Sequence, residues 1–113
     1  MKFKDVKKEF LEFLEFEKGY SAKTIEAYKR DILKFEIYMT EFSIDYTKIN
    51  KEIIFDFHSD LSQSIGPRSF SRTLSSLRTF YRFLFYQELV SDLTLNSVLT
   101  YPSPKFKKSI PSF

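Results

Sequence analysis

The sequence predicts an all-α domain, and three observations carry that reading. Apolar residues recur at three- and four-residue spacing through four long stretches. No stretch alternates apolar and polar residues as a half-buried strand would. The chain has only 2 glycines and 4 prolines in 113 residues, and three of those prolines (Pro102, Pro104, Pro111) fall in its last dozen or so. The body is therefore regular structure, and one domain of four to five helices accounts for its length.

The first helix is predicted over Lys4–Lys18. Phe3, Val6, Phe10, Phe13 and Leu14 form its apolar stripe, and Gly19 is its stop, since glycine readily takes the left-handed conformation that closes a helix. Ser21 caps a second helix that runs to about Glu41. Its stripe is Ile25, Tyr28, Ile32, Phe35, Met39 and Phe42. Lys23, Ala27, Arg30 and Lys34 fall on another face, small and basic. A short connection over 43–49 leads to Asn50, which caps a third helix with Ile53, Ile54, Phe57 and Leu61 apolar. Residues 63–66 form a turn. Pro67 suits the first position of a fourth helix, where a missing N–H costs nothing. That helix is predicted to reach Glu88. A short fifth segment over Leu93–Leu99 has Asp92 or Ser91 as its cap, and from Thr100 onward the sequence reads as an extended basic tail.

Composition narrows the function. There are no cysteines, so a disulfide scaffold, a thiolate zinc site and a cysteine nucleophile are excluded. A 42% hydrophobic content supports a real core without staples. Met1 leads into charged residues, and no apolar run is long enough to span a bilayer. A soluble, cytoplasmic protein is the expectation. Net charge is only +3, but it is unevenly placed. Residues 1–60 carry 11 Lys/Arg against 13 Asp/Glu, whereas residues 61–113 carry 7 against 2. The second half therefore favours a polyanionic partner.

The run GPRSFSRTLSSLRTFYRFLFY (66–86) concentrates that charge. It holds Arg68, Arg72, Arg78 and Arg82 and no acidic residue. With successive residues roughly 100° apart, Phe70, Leu74, Leu77, Tyr81 and Leu84 share one face. Arg68, Arg72, Ser75, Thr79, Arg82 and Tyr86 share the other, and Arg78 sits at the border. Arginine suits bidentate recognition of phosphate oxygens or a guanine edge. Serine and threonine add short phosphate contacts. Such a face can lie in a DNA major groove, which is about 12 Å wide. The alternative is an arginine face docked on acidic protein, either the first helix or a separate partner in a protein–protein adaptor.

Enzyme chemistry finds little support. The single histidine, His58, lies between Asp56 and Asp60, where a metal-dependent site is conceivable but a solvent-exposed helix residue is the simpler reading. Gly19 and Gly66 are too far apart for a phosphate loop, and no nucleophile-elbow motif occurs. No cofactor and no metal are expected.

Two segments carry a family resemblance. The stretch EKGYSAKTIEAYKRDILKF (17–35) resembles a pattern near the start of tyrosine site-specific recombinases of the Xer and phage-integrase type. There, Gly and Ser precede Thr, Tyr, an acidic residue and an aromatic; here these are Gly19, Ser21, Thr24, Tyr28, Asp31 and Phe35. The stretch SFSRTLSSLRTFYRFL (69–84) is similar to a later signature of that family, Ser-x-x-Arg followed by Leu-x-x-Leu-Arg-x-Phe-Tyr. The tail SPKFKKSIPSF looks like its basic linker. LTLNSVL departs from the pattern, with Ser97 where proline often follows Asn96.

The resemblance implies a SAM-like core-binding domain over 1–100 and a linker over 101–113 toward a catalytic domain that would follow Phe113. It implies double-stranded DNA as partner, gripped by the second and fourth helices during integration or recombination. It also implies further protomers in a tetramer on DNA, with this piece alone a monomer that does not cut DNA. The candidate DNA-contact set is Lys23, Thr24, Ala27 and Arg30 on the second helix and Arg68, Ser69, Arg72, Ser75 and Ser76 on the fourth, with Lys105 and Lys107 in the tail. Tyr28 matches a motif position but reads as a core residue with a polar tip.

Overall fold

In the computed structural model, which describes residues 1–103, five helices follow one another. They are α1 (Phe3–Phe16), α2 (Ala22–Phe42), α3 (Lys51–Leu61), α4 (Pro67–Tyr86) and α5 (Asp92–Thr100). Their ends follow the capping signals. Gly19 takes φ +64, and the Tyr20 N–H returns to the Leu14 carbonyl, which closes α1. Ser21, Asn50 and Ser91 each accept an amide of the following first turn, from Thr24, Ile53 and Thr94. Pro67 opens α4 behind Gly66 without a side-chain cap. α4 ends two residues before Glu88, which takes the left-handed φ of 60.

α4 is the hub. It packs on α1, α2 and α5, and α3 packs on α5. Its predicted apolar face (Phe70, Leu74, Leu77, Tyr81, Leu84) is buried. Phe10 from α1 sets its ring edge-on to Phe80 at 5.0 Å, and Phe35 from α2 does the same with Phe57 of α3 at 5.0 Å. Such edge-to-face pairs add roughly 0.5–1.5 kcal/mol each beyond their burial. The Tyr81 hydroxyl, fully buried, donates to the Tyr46 carbonyl at 2.8 Å and pins the α2–α3 connection to the hub. The Tyr46 hydroxyl in turn donates to the Met1 carbonyl.

Four features differ from the sequence reading. The buried face of α4 is wider, taking in Thr73, Ser76, Phe80 and Phe83, because three helices press on it at once. Phe42, last of the α2 stripe, is 54% exposed; it leans on Tyr38 and the chain turns away at Ser43. Tyr101, assigned to the extended tail, is buried in the bundle. His58 is half-buried rather than solvent-exposed, its ring stacked on Phe70 at 4.0 Å. Tyr28 is half-buried between Phe10 and Tyr20, as a core residue with a polar tip should be.

Candidate nucleic-acid interface

Asp31 organises the contact between α2 and α4. Its side chain is 1% exposed, and an unpaired carboxylate at such depth would be costly. It is fully engaged. Ser76 donates to Oδ2 at 2.7 Å, and Thr73 reaches Oδ1 at 3.3 Å. Lys34 Nζ stands 3.5 Å from Oδ1, and Arg72 Nε 3.8 Å from Oδ2. Two hydroxyls from α4 and two cations, one from each helix, thus converge on one carboxylate.

The consequence is a basic ridge fixed at its root. Arg72 keeps 60% of its side chain in solvent while its Nε stays near Asp31, so the outer guanidinium nitrogens remain open to an anion. Arg68 and Ser69 are exposed one turn away, about 6 Å along the axis at 1.5 Å per residue. Ser75 is exposed as well. On α2, Arg30, Lys23 and Thr24 are exposed and Ala27 is half-buried. The Thr24 hydroxyl also accepts from Ser21, which ties it into the helix cap at 3.1 Å.

Ser76 is a correction. It is 6% exposed and its hydroxyl is committed to Asp31, so it joins the helices rather than facing a partner. The helical wheel did not signal this, because serine reads as polar surface until a buried acceptor is known. Lys34, on the Lys23–Arg30 face but outside the candidate set, is brought to this junction by Asp31. Lys105 and Lys107 lie outside the described residues. Arg78, at the border in the sequence, turns inward, and its Nη2 donates to the Tyr101 carbonyl at 2.6 Å.

Among the described residues no group of three His, Cys, Asp or Glu side chains is placed to hold a metal ion. His58 is instead bonded through Nδ1 to the Tyr101 hydroxyl at 3.0 Å, and burial pushes its pKa down. Burial likewise raises the phenol pKa of Tyr38, Tyr46, Tyr81 and Tyr101, which disfavours the phenolate. No helix among the described residues is long and apolar enough to cross a membrane.

Comparison with known proteins supplies the remaining findings. The family model for the phage integrase N-terminal SAM-like domain matches residues 8–88. Tyrosine recombinase XerD of Staphylococcus aureus (strain Mu50 / ATCC 700699) is 32% identical over 105 residues, which cover 91% of this chain and 35% of the relative. Tyrosine recombinase XerD of Staphylococcus haemolyticus (strain JCSC1435) is 30% identical over the same span and shares. The chain therefore spans about a third of the length of these curated relatives. No solved structure gives a significant match.

Proposed function

The chain belongs to the phage integrase N-terminal SAM-like domain family, and we propose that it is the module with which a tyrosine recombinase grips double-stranded recombination-site DNA. The observation that carries the reading is the Asp31 junction. It sets the basic faces of α2 and α4 beside each other, with Arg72 anchored at Nε and open beyond it. The contacts are Lys23, Thr24, Arg30 and Lys34 on α2 and Arg68, Ser69, Arg72 and Ser75 on α4, with Ala27 allowing close approach. Lys105 and Lys107 extend the grip.

Such a set is rich in cations and hydroxyls, so phosphate contacts dominate and sequence readout is modest. Binding is the role of this chain, and strand cleavage and rejoining belong to a separate part of the parent enzyme. The same reading places the chain in the cytoplasm with the DNA, as a monomer alone and as one of four protomers in the assembled parent. Neither cofactor nor metal takes part in the grip.

Arg72→Ala tests the site. Its side chain is largely in solvent and Asp31 keeps three other partners, so the helical circular-dichroism spectrum should be unchanged. Duplex affinity at low salt should fall by about tenfold, and the log–log salt slope should shrink by about 1. Unchanged affinity would place the DNA on another face.

A further inference from the structure

We infer that Arg72 is the sequence-reading residue of this face: it recognises the edge of a guanine in the major groove, and Asp31 is the positioning residue that aims it. The inference rests on the DNA-binding reading and deepens it, by naming the base that gives the grip its preference.

Arg72 is exposed and yet held. Its side chain is 60% in solvent, while Nε stands 3.8 Å from Oδ2 of a carboxylate that is 1% exposed. That carboxylate is itself fixed, by Ser76 at 2.7 Å, Thr73 at 3.3 Å and Lys34 at 3.5 Å. A guanidinium carries one N–H on Nε and two on each Nη, all in one plane. Nε is the atom that approaches Asp31, and no hydrogen bond among the described residues uses the Nη nitrogens. The free pair is the fork that matches O6 and N7 of guanine.

Charge separates this role from a phosphate contact. Phosphate binding gains from net positive charge, and a carboxylate beside the cation lowers it. Lys23 and Arg30, exposed on α2 with no ion pair among the described residues, suit phosphate better. A guanine edge is uncharged and offers two acceptors at a fixed spacing, so recognition there depends on aim. Holding the arginine in place before binding removes part of the ordering cost and sharpens the choice between base pairs. Asp31 thus costs the site charge and gains it direction.

The surroundings allow the reach. Ser69 and Ser75 stand three residues to either side of Arg72, on the same stretch of helix surface, and both are exposed. Longer side chains there would hold the helix off the DNA. The major groove is about 12 Å wide and 8.5 Å deep, so a helix with short neighbours around one long side chain can bring that side chain to the base edges.

A cation in the groove displaces counterions much as one on a phosphate does, so base preference, not salt slope, is the readout. The 113-residue chain is used to select binders from a randomised duplex library, and the affinities of the selected duplexes are measured. The wild type should demand one G·C pair, with about tenfold loss when it is changed, within the range of one bidentate contact. Replacing that guanine by 7-deazaguanine, which lacks the N7 acceptor, should cost the wild type most of this preference. Arg72→Lys keeps the charge without the fork. It should bind the unselected library about as well as the wild type, show no preference at that pair and ignore 7-deazaguanine. Asp31→Asn, checked for native helical content, should lose most of the preference while still binding the library. An Arg72→Lys chain that selects the same guanine, or a wild type indifferent to 7-deazaguanine, would overturn the assignment. Full preference in a folded Asp31→Asn chain would overturn the aiming role of Asp31 alone. Salt-sensitive library binding without any enriched guanine would sink base reading and leave the DNA-binding reading standing. Failure to bind the library at low salt would remove both.

Discussion

His58 illustrates how a single side chain can invite the wrong chemistry. In sequence it is flanked by Asp56 and Asp60, an arrangement that hints at a metal. In the fold its ring lies on Phe70 and its Nδ1 is spent on Tyr101. Burial disfavours the imidazolium and lowers its pKa from 6.5. Above pH 6.5 both folded and unfolded chains hold it neutral, so its contribution is fully present. As pH falls below 6.5 the unfolded chain takes up the proton first, and that contribution is lost on the way down through the folded pKa. Urea midpoints measured from pH 8 to 5 should therefore decline more steeply in the wild type than in His58→Phe. Parallel profiles would show that the ring titrates as freely in the bundle as in the open chain. The imidazole's surroundings could not be read from the sequence, because Phe70 and Tyr101 are 12 and 43 residues away and only the bundle brings them together.

At the scale of elements, the helices themselves were legible and their contacts were not. Ser21, Asn50, Pro67 and Gly19 announced starts and a stop through local chemistry, and the helices begin or end beside them. Burial within α4 was only half visible. The 3.6-residue period picked out Phe70, Leu74 and Leu77, but Thr73 and Ser76 are buried for a reason that lives on α2, namely Asp31. The seam is polar inside and basic outside, and its strength is testable. Asp31→Ala leaves the Ser76 hydroxyl without its buried acceptor and two cations without their counter-charge. Thr73 retains only its own helix carbonyl at Ser69. Unfolding free energy in urea should drop by about 2–3 kcal/mol, the scale of one or two unsatisfied buried groups. A loss under about 0.5 kcal/mol, the scale of an ordinary surface substitution, would mean that apolar packing alone holds α2 to α4.

For the whole molecule, the decisive property is where charge ends up after folding. The acidic residues of α1 and the basic residues of α4 looked in sequence like potential partners for each other. In the fold, α1 uses Lys7 to bond Glu36 of α2 at 2.6 Å, while Arg72 turns to the carboxylate of Asp31 and leaves most of its length in water. The arginine run was readable as an anion-seeking face from its composition. The resemblance implied that α2 works beside it; that one buried aspartate joins the two was readable only from structure. The central claim is that this two-helix face binds duplex DNA chiefly through phosphates, and the salt dependence of binding tests it most directly. With about four phosphates neutralised, log K against log salt should be linear with a slope near −3.6. A flat response, or no duplex binding at low salt alongside salt-sensitive binding to an acidic protein, would contradict the account and leave the arginine face to a protein partner.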